Sequence, residues 1–278
     1  MLKIALSGST GLIGTRITEL LQNTFAFVPL LQTEVDITHR DETSKAIQSM
    51  DFDVFLHLAA YTNVDGAEKE KKLAYQINVE GTRNVFEAVL HKQKPFIYIS
   101  TDFVFDGTSP PYSEDSKPDP LSYYAQTKYE GEQIVKNQAM IVRISYPYRA
   151  KFELKKDFVR SIASLLTEKK ELKMVTNSLI TPTFVDDITY GLQYCINNFS
   201  KQIIHLVGAD SMSPFDAGTR IAKIFHLDQN LIQKTTFADY SINKARRPQY
   251  SEIKSSKNIF YRMKSFEEGL VELLTQLD

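Results

Sequence analysis

The chain has 278 residues and a formal net charge of −1, from 33 basic and 34 acidic side chains. This balance gives no overall field that would favour nucleic acid or an anionic membrane surface as a partner. The single cysteine excludes an intrachain disulfide and fits a reducing, cytoplasmic location. The sequence contains no apolar run of about 18 residues, and its N-terminal apolar run is too short for a signal peptide.

Short apolar runs alternate with helix-length segments through roughly residue 145. The runs predict buried strands at Leu2–Leu6, Phe25–Leu31, Val54–Leu58, Phe96–Ser100 and Met140–Ile144. The segments between them predict helices at about 12–23, 40–49, 67–92 and 122–138. Because buried strands separated by helices pair in parallel through right-handed crossovers, the pattern predicts an α/β fold with a Rossmann-type, doubly wound parallel sheet.

The second half alternates less regularly. It shows helical patterns at Phe152–Thr167, Pro214–Phe225 and Ser265–Leu277, and an extended segment at Lys201–Val207. We interpret this half as a smaller lobe interleaved with the last strands of the sheet. The predicted division assigns 1–147, plus roughly 176–207, to the Rossmann domain, and roughly 148–175 and 208–278 to the smaller lobe.

Three glycines follow the first predicted strand, in the segment Gly8-Ser9-Thr10-Gly11-Leu12-Ile13-Gly14. Gly8 permits a tight turn, Gly11 lets the backbone approach a pyrophosphate, and Gly14 lets the helix pack on the strand. The N–H groups at the start of the helix would then face the phosphates. The segment therefore predicts that a dinucleotide binds at this turn.

The sequence does not decide whether the dinucleotide is NADH or NADPH. The second predicted strand runs to Gln32 without an acidic residue at its tip, where an acid would hold the ribose hydroxyls, and no basic cluster replaces it. Arg16 is the nearest cation, and we interpret it as an exposed helix residue. Asp36 and Ile37 come a little later in the chain and are expected near the adenine.

A tyrosine and a lysine four residues apart, Tyr124 and Lys128, are expected to share one face of a helix. A neighbouring ammonium favours the phenolate and lowers the pKa of the tyrosine toward the range useful for proton transfer. The same spacing recurs at Tyr240/Lys244 and Tyr250/Lys254. Only the first pair lies between two predicted sheet strands and follows Ser100-Thr101-Asp102 at a strand end, where doubly wound sheets bind ligands.

On its motifs the chain resembles the extended short-chain dehydrogenase/reductase family, and most of all its dTDP-4-dehydrorhamnose reductase branch. The matching stretches run in family order and are Ser7–Gly14, Leu58–Asp65, Asn78–Thr82, Ser100–Gly107, Tyr124–Glu132 and Arg246–Ser251. Two departures concern the sugar pocket. Tyr146 stands where the family usually has tryptophan, and Phe103 stands where tyrosine is common.

The resemblance implies a role for each matching position. The pyrophosphate would lie on Gly8, Thr10, Gly11, Leu12, Ile13 and Gly14, and the adenosine side would be lined by Asp36, Ile37, Ala59, Ala60 and Tyr61. Asn78 would support the cofactor site from the next helix, and Lys128 would hold the nicotinamide ribose. Thr101, Tyr124 and Lys128 would form the catalytic set. The sugar nucleotide would contact Thr101, Asp102, Tyr146 and Arg247, the last through its diphosphate.

The implied reaction is reduction of a hexose keto group by NADPH or NADH, with Tyr124 as proton donor. A dehydratase would typically carry a glutamate after Asp102, where this chain has Phe103. Two alternatives stay open: an epimerase that retains NAD, and a non-catalytic binding subunit like the regulatory subunit of methionine adenosyltransferase, which resembles the same family. The expected partner is a sugar nucleotide, with no nucleic acid and no membrane, and a homodimer is left open.

Other conspicuous residues are given structural interpretations. His57 is expected to be a hydrogen-bonded core residue, Cys195 to be core packing, and Glu68–Lys72 to be a solvated helix face. The proline-rich loop Pro110–Pro120 is either a rigid connection or a flap beside the substrate. No histidine or cysteine cluster has the spacing of a zinc site, so no metal is predicted.

Overall fold

The computed structural model describes residues 1–277. Its strands are β1 (Lys3–Ser7), β2 (Ala26–Leu30), β3 (Val54–His57), β4 (Phe96–Thr101), β5 (Met140–Ile144), β6 (Pro147–Tyr148), β7 (Leu172–Val175), β8 (Thr183–Phe184), β9 (Ile203–His205) and β10 (Ile232–Thr235). Its α-helices are α1 (Leu12–Leu21), α2 (Arg40–Ser49), α3 (Val64–Lys69), α4 (Lys71–Tyr75), α5 (Thr82–His91), α6 (Tyr123–Val135), α7 (Phe158–Thr167), α8 (Val185–Asn197), α9 (Pro214–Ile224), α10 (Phe237–Ser241) and α11 (Phe266–Thr275).

A six-stranded parallel sheet in the order β2-β1-β3-β4-β5-β9 forms the centre of the molecule. Alternate residues of the strands face opposite layers of helices, because side chains on a strand point alternately up and down. In β4, Ile97 and Ile99 pack with residues of α1 and α8, whereas Phe96 and Tyr98 pack with residues of α5 and α6. The predicted fold class, a Rossmann-type doubly wound sheet, is confirmed.

A second apolar core lies among α7, α9 and α11. Two short parallel sheets accompany it, β7 with β10 and β6 with β8. Phe184 of β8 belongs to this core, while α8, which comes directly after it, packs on the large sheet. The chain therefore passes between the two cores, as an interleaved lobe requires, and the exact division into two domains stays a prediction.

The helix predicted over 67–92 is broken into four pieces. Helices α3 and α4 are followed by a π-helical turn at Gln76–Gly81, and only then does α5 begin. The wider turn carries Asn78, which is buried and hydrogen-bonds the backbone of Tyr61. A π turn inserts one extra residue into a helix, a local device that hydrophobic periodicity does not reveal.

The helix predicted from Phe152 begins six residues later, at Phe158. The side chain of Asp157 accepts a hydrogen bond from the Arg160 backbone N–H at 3.0 Å and so caps the helix at this point. The residues before Asp157 form a loop instead. Within residues 1–277, no helix combines the length and apolar character that crossing a membrane requires.

Candidate active site

A cavity of about 1050 Å³ opens at the carboxyl ends of the central strands. This is the edge at which doubly wound sheets bind ligands. Most of the residues predicted to bind cofactor or substrate line it, namely Gly8, Thr10, Gly11, Leu12, Ile13, Gly14, Asp36, Ile37, Ala59, Ala60, Thr101, Asp102, Tyr124, Lys128 and Tyr146. Three predicted site residues, Tyr61, Asn78 and Arg247, lie outside this lining.

The glycine turn after β1 forms a cradle that side chains would fill. Gly8 has a φ of +70°, and a Cβ there would lie 2.7 Å from the Ala59 backbone nitrogen. A Cβ on Gly14 would lie 2.3 Å from the Gly8 carbonyl oxygen, so helix and turn are in direct backbone contact. Gly11 is the N-cap of α1, and no side chain caps the helix. The first N–H groups of α1 are therefore available to an anion, which a pyrophosphate would supply.

The loop after β3, which we expected on the adenosine side, makes contacts that the sequence did not specify. The Tyr61 side chain turns to Glu70, to which its hydroxyl donates a hydrogen bond. Asn78 accepts from the Tyr61 N–H at 2.8 Å and donates to its carbonyl oxygen at 3.1 Å and to Thr127 Oγ1 at 2.9 Å. Asn78 thus ties the loop after β3 to helix α6, so its contribution to the cavity is support of these two walls.

Arg16 is not the exposed residue that we expected. Its guanidinium makes a bidentate contact with the Asp186 carboxylate, at 2.6 Å for both Nε and Nη2, and its side chain is 16% exposed. This ion pair joins α1 to α8 and explains why the guanidinium turns away from solvent. Occupied in this way, Arg16 is poorly placed to bind a cofactor 2′-phosphate.

Tyr124 and Lys128 lie in the first turns of α6, which begins after the N-cap Ser122. Both side chains are buried, and the Lys128 Nζ donates to the Ile99 carbonyl oxygen at 2.8 Å. Burial raises the pKa of the Tyr124 phenol, while hydrogen bonding with Thr101 opposes the rise. Burial also lowers the pKa of Lys128 to about 7.

The predicted effect of Lys128 on the pKa of Tyr124 is therefore wrong for the protein without its cofactor. We predicted that the ammonium would lower the pKa of Tyr124, but burial raises this pKa, and the group that opposes the rise is Thr101. The Lys128 head group contacts β4, through the carbonyl of Ile99. A raised pKa keeps Tyr124 protonated, which is the state that a proton donor needs.

Beside Tyr124, the Asp102 carboxylate is buried and held by three hydroxyl groups. Thr101 Oγ1 donates at 3.0 Å, Ser145 Oγ at 2.9 Å, and Ser251 Oγ also donates to this carboxylate. Burial nevertheless raises the pKa of Asp102. Ser145 and Ser251 come from distant segments and were not among the predicted site residues. Ser251 lies in a stretch that resembles the family, but nothing in the sequence assigned either serine to Asp102.

Tyr146, which lines the cavity, and Arg247, which lies outside its lining, are held by different contacts. Tyr146 lines the cavity with a φ of 39°, unusual for a residue other than glycine, and its ring centroid lies 6.2 Å from Phe103 and 6.0 Å from Phe158. Arg247 donates to Asp65 Oδ2 at 2.8 Å and to the Ala245 carbonyl oxygen at 2.8 Å. Its proposed contact with a diphosphate would require exchange or sharing of the Asp65 contact.

The residues of the cavity fit a nicotinamide dinucleotide. The glycine cradle and uncapped start of α1 suit its pyrophosphate. Farther along, Ser100 lines the cavity, and its buried Oγ has no hydrogen-bond partner among residues 1–277. Because a buried hydroxyl normally has a partner, this atom indicates that a polar ligand group completes the site.

The residues interpreted as structural lie where expected. His57 is buried, with its Nδ1 2.7 Å from Ser7 Oγ and its Nε2 3.2 Å from Thr82 Oγ1, and burial lowers its pKa to about 3. Cys195 is fully buried in the core on the α1/α8 side of the sheet. Glu68–Lys72 is mostly exposed. The loop Pro110–Pro120 is anchored by buried Tyr112 and Glu114, which supports a rigid connection.

Comparison with known proteins assigns this arrangement to a family. A model of the RmlD substrate binding domain matches residues 2–278. A solved structure of dTDP-4-dehydrorhamnose reductase from Bacillus anthracis, in complex with NADP, is 31% identical, with a TM-score of 0.92 and 99% of each chain covered.

Two curated relatives show the range of function among similar proteins. A dTDP-4-dehydrorhamnose reductase of Aggregatibacter actinomycetemcomitans is 29% identical over 89% of both chains. Methionine adenosyltransferase 2 subunit beta of Pongo abelii is 27% identical over 92% of this chain and 81% of its own length. With a family model spanning nearly the whole chain and a reductase structure superposing along its length, the chain belongs to the RmlD substrate-binding-domain family, on an extended short-chain dehydrogenase/reductase fold.

Proposed function

We propose that the chain catalyses the NAD(P)H-dependent reduction of a keto group on a nucleotide-activated deoxyhexose, as in the dTDP-4-dehydrorhamnose reductases it resembles. The observation that carries this proposal is a single cavity that is lined both by the glycine cradle and by Tyr124, Lys128 and Thr101. One ligand can therefore extend from the cradle to the catalytic set. The 31% identical reductase structure contains NADP, which supports the choice of cofactor class.

The bound nicotinamide would supply the hydride, and the residues of the chain would supply position and proton. The Tyr124 hydroxyl would donate its proton to the carbonyl oxygen as negative charge develops there. Thr101, which lies next to Tyr124 and also lines the cavity, would turn its hydroxyl proton from Asp102 to the same oxygen and hydrogen-bond it. Lys128 would orient the ribose, exchanging or sharing its contact with the Ile99 carbonyl.

Substrate recognition is assigned to the cavity mouth. Tyr146 presents an aromatic ring at the cavity wall, where it would pack against the sugar. Arg247 would bind the diphosphate, since a guanidinium matches phosphate geometry and the residue is already held near the site by Asp65. Asp102 would hold the Thr101 hydroxyl until substrate binds, since that hydroxyl donates to it in the free protein.

One alternative has a specific observation in its favour. The similarity to methionine adenosyltransferase 2 subunit beta supports a chain that binds other proteins and does not turn over a substrate. Against it stand an intact Tyr124 and Lys128, both buried at the cavity. A binding subunit has no need of a proton donor there.

The test is a cofactor-oxidation screen of the purified protein against a panel of 4-keto-6-deoxy sugar nucleotides, with NADPH and NADH in parallel. We expect oxidation to require both protein and one or more of the keto sugars. Binding of NADPH without oxidation across the panel would favour the binding subunit. Conversion to a stereoisomer without net oxidation of the cofactor would indicate the epimerase.

A further inference from the structure

The head group of Lys128 is held by two consecutive residues of strand β4. Its Nζ donates to the carbonyl oxygen of Ile99 at 2.8 Å and lies 4.2 Å from the centroid of the Tyr98 ring. The lysine lines the cavity but is only 4% exposed, so little water competes for the ammonium. A cation over an aromatic face is attracted by the ring quadrupole, and most strongly when both groups are desolvated.

Tyr98 also holds the backbone of the helix that carries Lys128. Its hydroxyl donates to the Lys128 carbonyl oxygen at 3.2 Å. One turn later comes Gly131, where a Cβ would lie 2.3 Å from the same hydroxyl oxygen. Helix α6 therefore rests directly on Tyr98, and only glycine at position 131 allows the contact.

The Tyr98 ring itself has little freedom to move. It is completely buried and stacks on the imidazole of His57, with centroids 5.9 Å apart and planes 20° apart. His57 is fixed in turn by hydrogen bonds with Ser7 and Thr82. Because protein interiors are close-packed, these rings stay in fixed positions, and Tyr98 in turn holds the groups that pack on it.

The ionisable neighbours of Lys128 are neutral or paired with another residue, so the contact with the Tyr98 ring matters for the charge of the lysine. The titratable groups that act on Lys128 or lie against it are His57 from β3, Tyr98 from β4, and Tyr124 and Glu132 from α6. Burial lowers the pKa of His57 to about 3, so this imidazole is neutral. Glu132 is engaged by Arg143, which donates to both of its carboxylate oxygens at 2.9 and 2.7 Å.

We propose that Tyr98 is a positioning residue that fixes the ammonium of Lys128 at the cavity wall, with its ring face under the cation and its hydroxyl on the helix backbone. Its contribution to the reaction depends on the function proposed above, because it acts only through Lys128. The contact itself belongs to the free protein and can be measured without substrate.

The experiment titrates Lys128 by NMR in protein labelled at the lysine side chains, with the signal assigned from Lys128→Met. At position 98, tyrosine is compared with phenylalanine, 3,5-difluorophenylalanine and pentafluorophenylalanine. Fluorination withdraws charge from the ring face while nearly keeping its shape, so the core stays filled. We expect the pKa of Lys128 to fall stepwise with fluorination, by about one pH unit over the series, which is a tenfold change in proton binding.

Phe266→Leu is the matched control, because Phe266 is a fully buried aromatic residue that packs on Tyr148 in the second apolar core, away from the aromatic layer under Lys128. It should disturb the core without moving the titration of Lys128. An unchanged pKa throughout the fluorinated series would overturn the proposal, as would an equal shift in Phe266→Leu.

Catalysis provides the second readout. If Lys128 acts in the proposed reduction, kcat and NADPH affinity should fall in the same order as its pKa. If the keto-sugar screen is negative while the pKa still follows fluorination, the positioning role of Tyr98 stands and the proposed function fails. If the screen is positive and the pKa does not move, the proposed function stands and the positioning role fails.

Discussion

Two tyrosine–lysine pairs with identical spacing have entirely different surroundings in this molecule. Tyr124 and Lys128 are 9% and 4% exposed, and the Lys128 head group contacts β4. Tyr240 is 38% exposed, and Lys244 Nζ lies 3.5 Å above the ring of its own partner tyrosine. The ammonium of the second pair thus lies on its own tyrosine, whereas the first pair is attached to the sheet edge that forms the cavity.

The difference comes from the length of the helix that carries each tyrosine. Helix α6 continues to Val135, so Tyr124 and Lys128 lie one turn apart on the face that packs on β4. Helix α10 ends at Ser241, and Asn243 has a φ of 60°, so Lys244 lies beyond the helix. The same spacing therefore places both residues at the ligand-binding edge of the sheet only where a continuing helix buries them there.

The largest effect is expected from closing the phosphate cradle, which would separate the first pair from its cofactor. Gly11 has extended backbone angles that valine tolerates, and a Cβ there meets only the Gly8 carbonyl oxygen, at 3.2 Å. Gly11→Val should therefore keep the fold but abolish NADPH binding, because the branched side chain blocks approach to the start of α1. Fluorescence titration measures the loss of NADPH binding, and thermal melting shows whether the fold is kept. Unchanged affinity would mean that the cofactor does not lie on the cradle.

The next largest effect is expected at Lys128, and it can be compared directly with the same change at Lys244. Lys128→Ala should lower both kcat and NADPH affinity, each by about 10- to 100-fold, because a charge-assisted contact worth about 1.5–3 kcal/mol is lost. Lys244→Ala should leave both values near wild type, since that ammonium lies over the exposed Tyr240. Steady-state kinetics and cofactor titration measure both variants. Equal losses of kcat and NADPH affinity in the two variants would contradict the different roles given to the two pairs.

A smaller effect, confined to substrate, is expected at Arg247. Arg247→Ala should raise the KM for the sugar nucleotide by about 10- to 100-fold and leave NADPH affinity unchanged. Arg246→Ala is the matched control, because that neighbouring residue is exposed. A KM for Arg247→Ala within twofold of the control would mean that the guanidinium serves only its contact with Asp65.

Most of the fold was predictable because its signals are local. Buried strands, a glycine turn at residue 8 and helix periodicity together specify a doubly wound sheet and one edge for the ligand. The π turn at Asn78 and the late start of α7 were missed, because each depends on a single side chain bonding a backbone. Such contacts leave no periodic trace in the sequence.

The residues that line the cavity were largely predictable from the sequence, and their electrostatics were less so. The positions of Tyr124, Lys128 and Thr101 followed from motif and strand order, but the direction of the Tyr124 pKa did not, since it depends on burial. Ser251 reaches Asp102 across 149 positions of the chain. A contact over that separation is a product of the tertiary fold.

The most direct test of the central claim is the rate of a single turnover in Tyr124→Phe, with cofactor and keto-sugar nucleotide both saturating. The change deletes the hydroxyl and keeps the ring that packs against Phe103 at 6.2 Å. If Tyr124 is the proton donor, the rate should fall by about 10²–10⁴-fold, with NADPH affinity unchanged, while Tyr240→Phe and Tyr250→Phe stay near wild type. A Tyr124→Phe rate above about half that of wild type would contradict the proton-donor role.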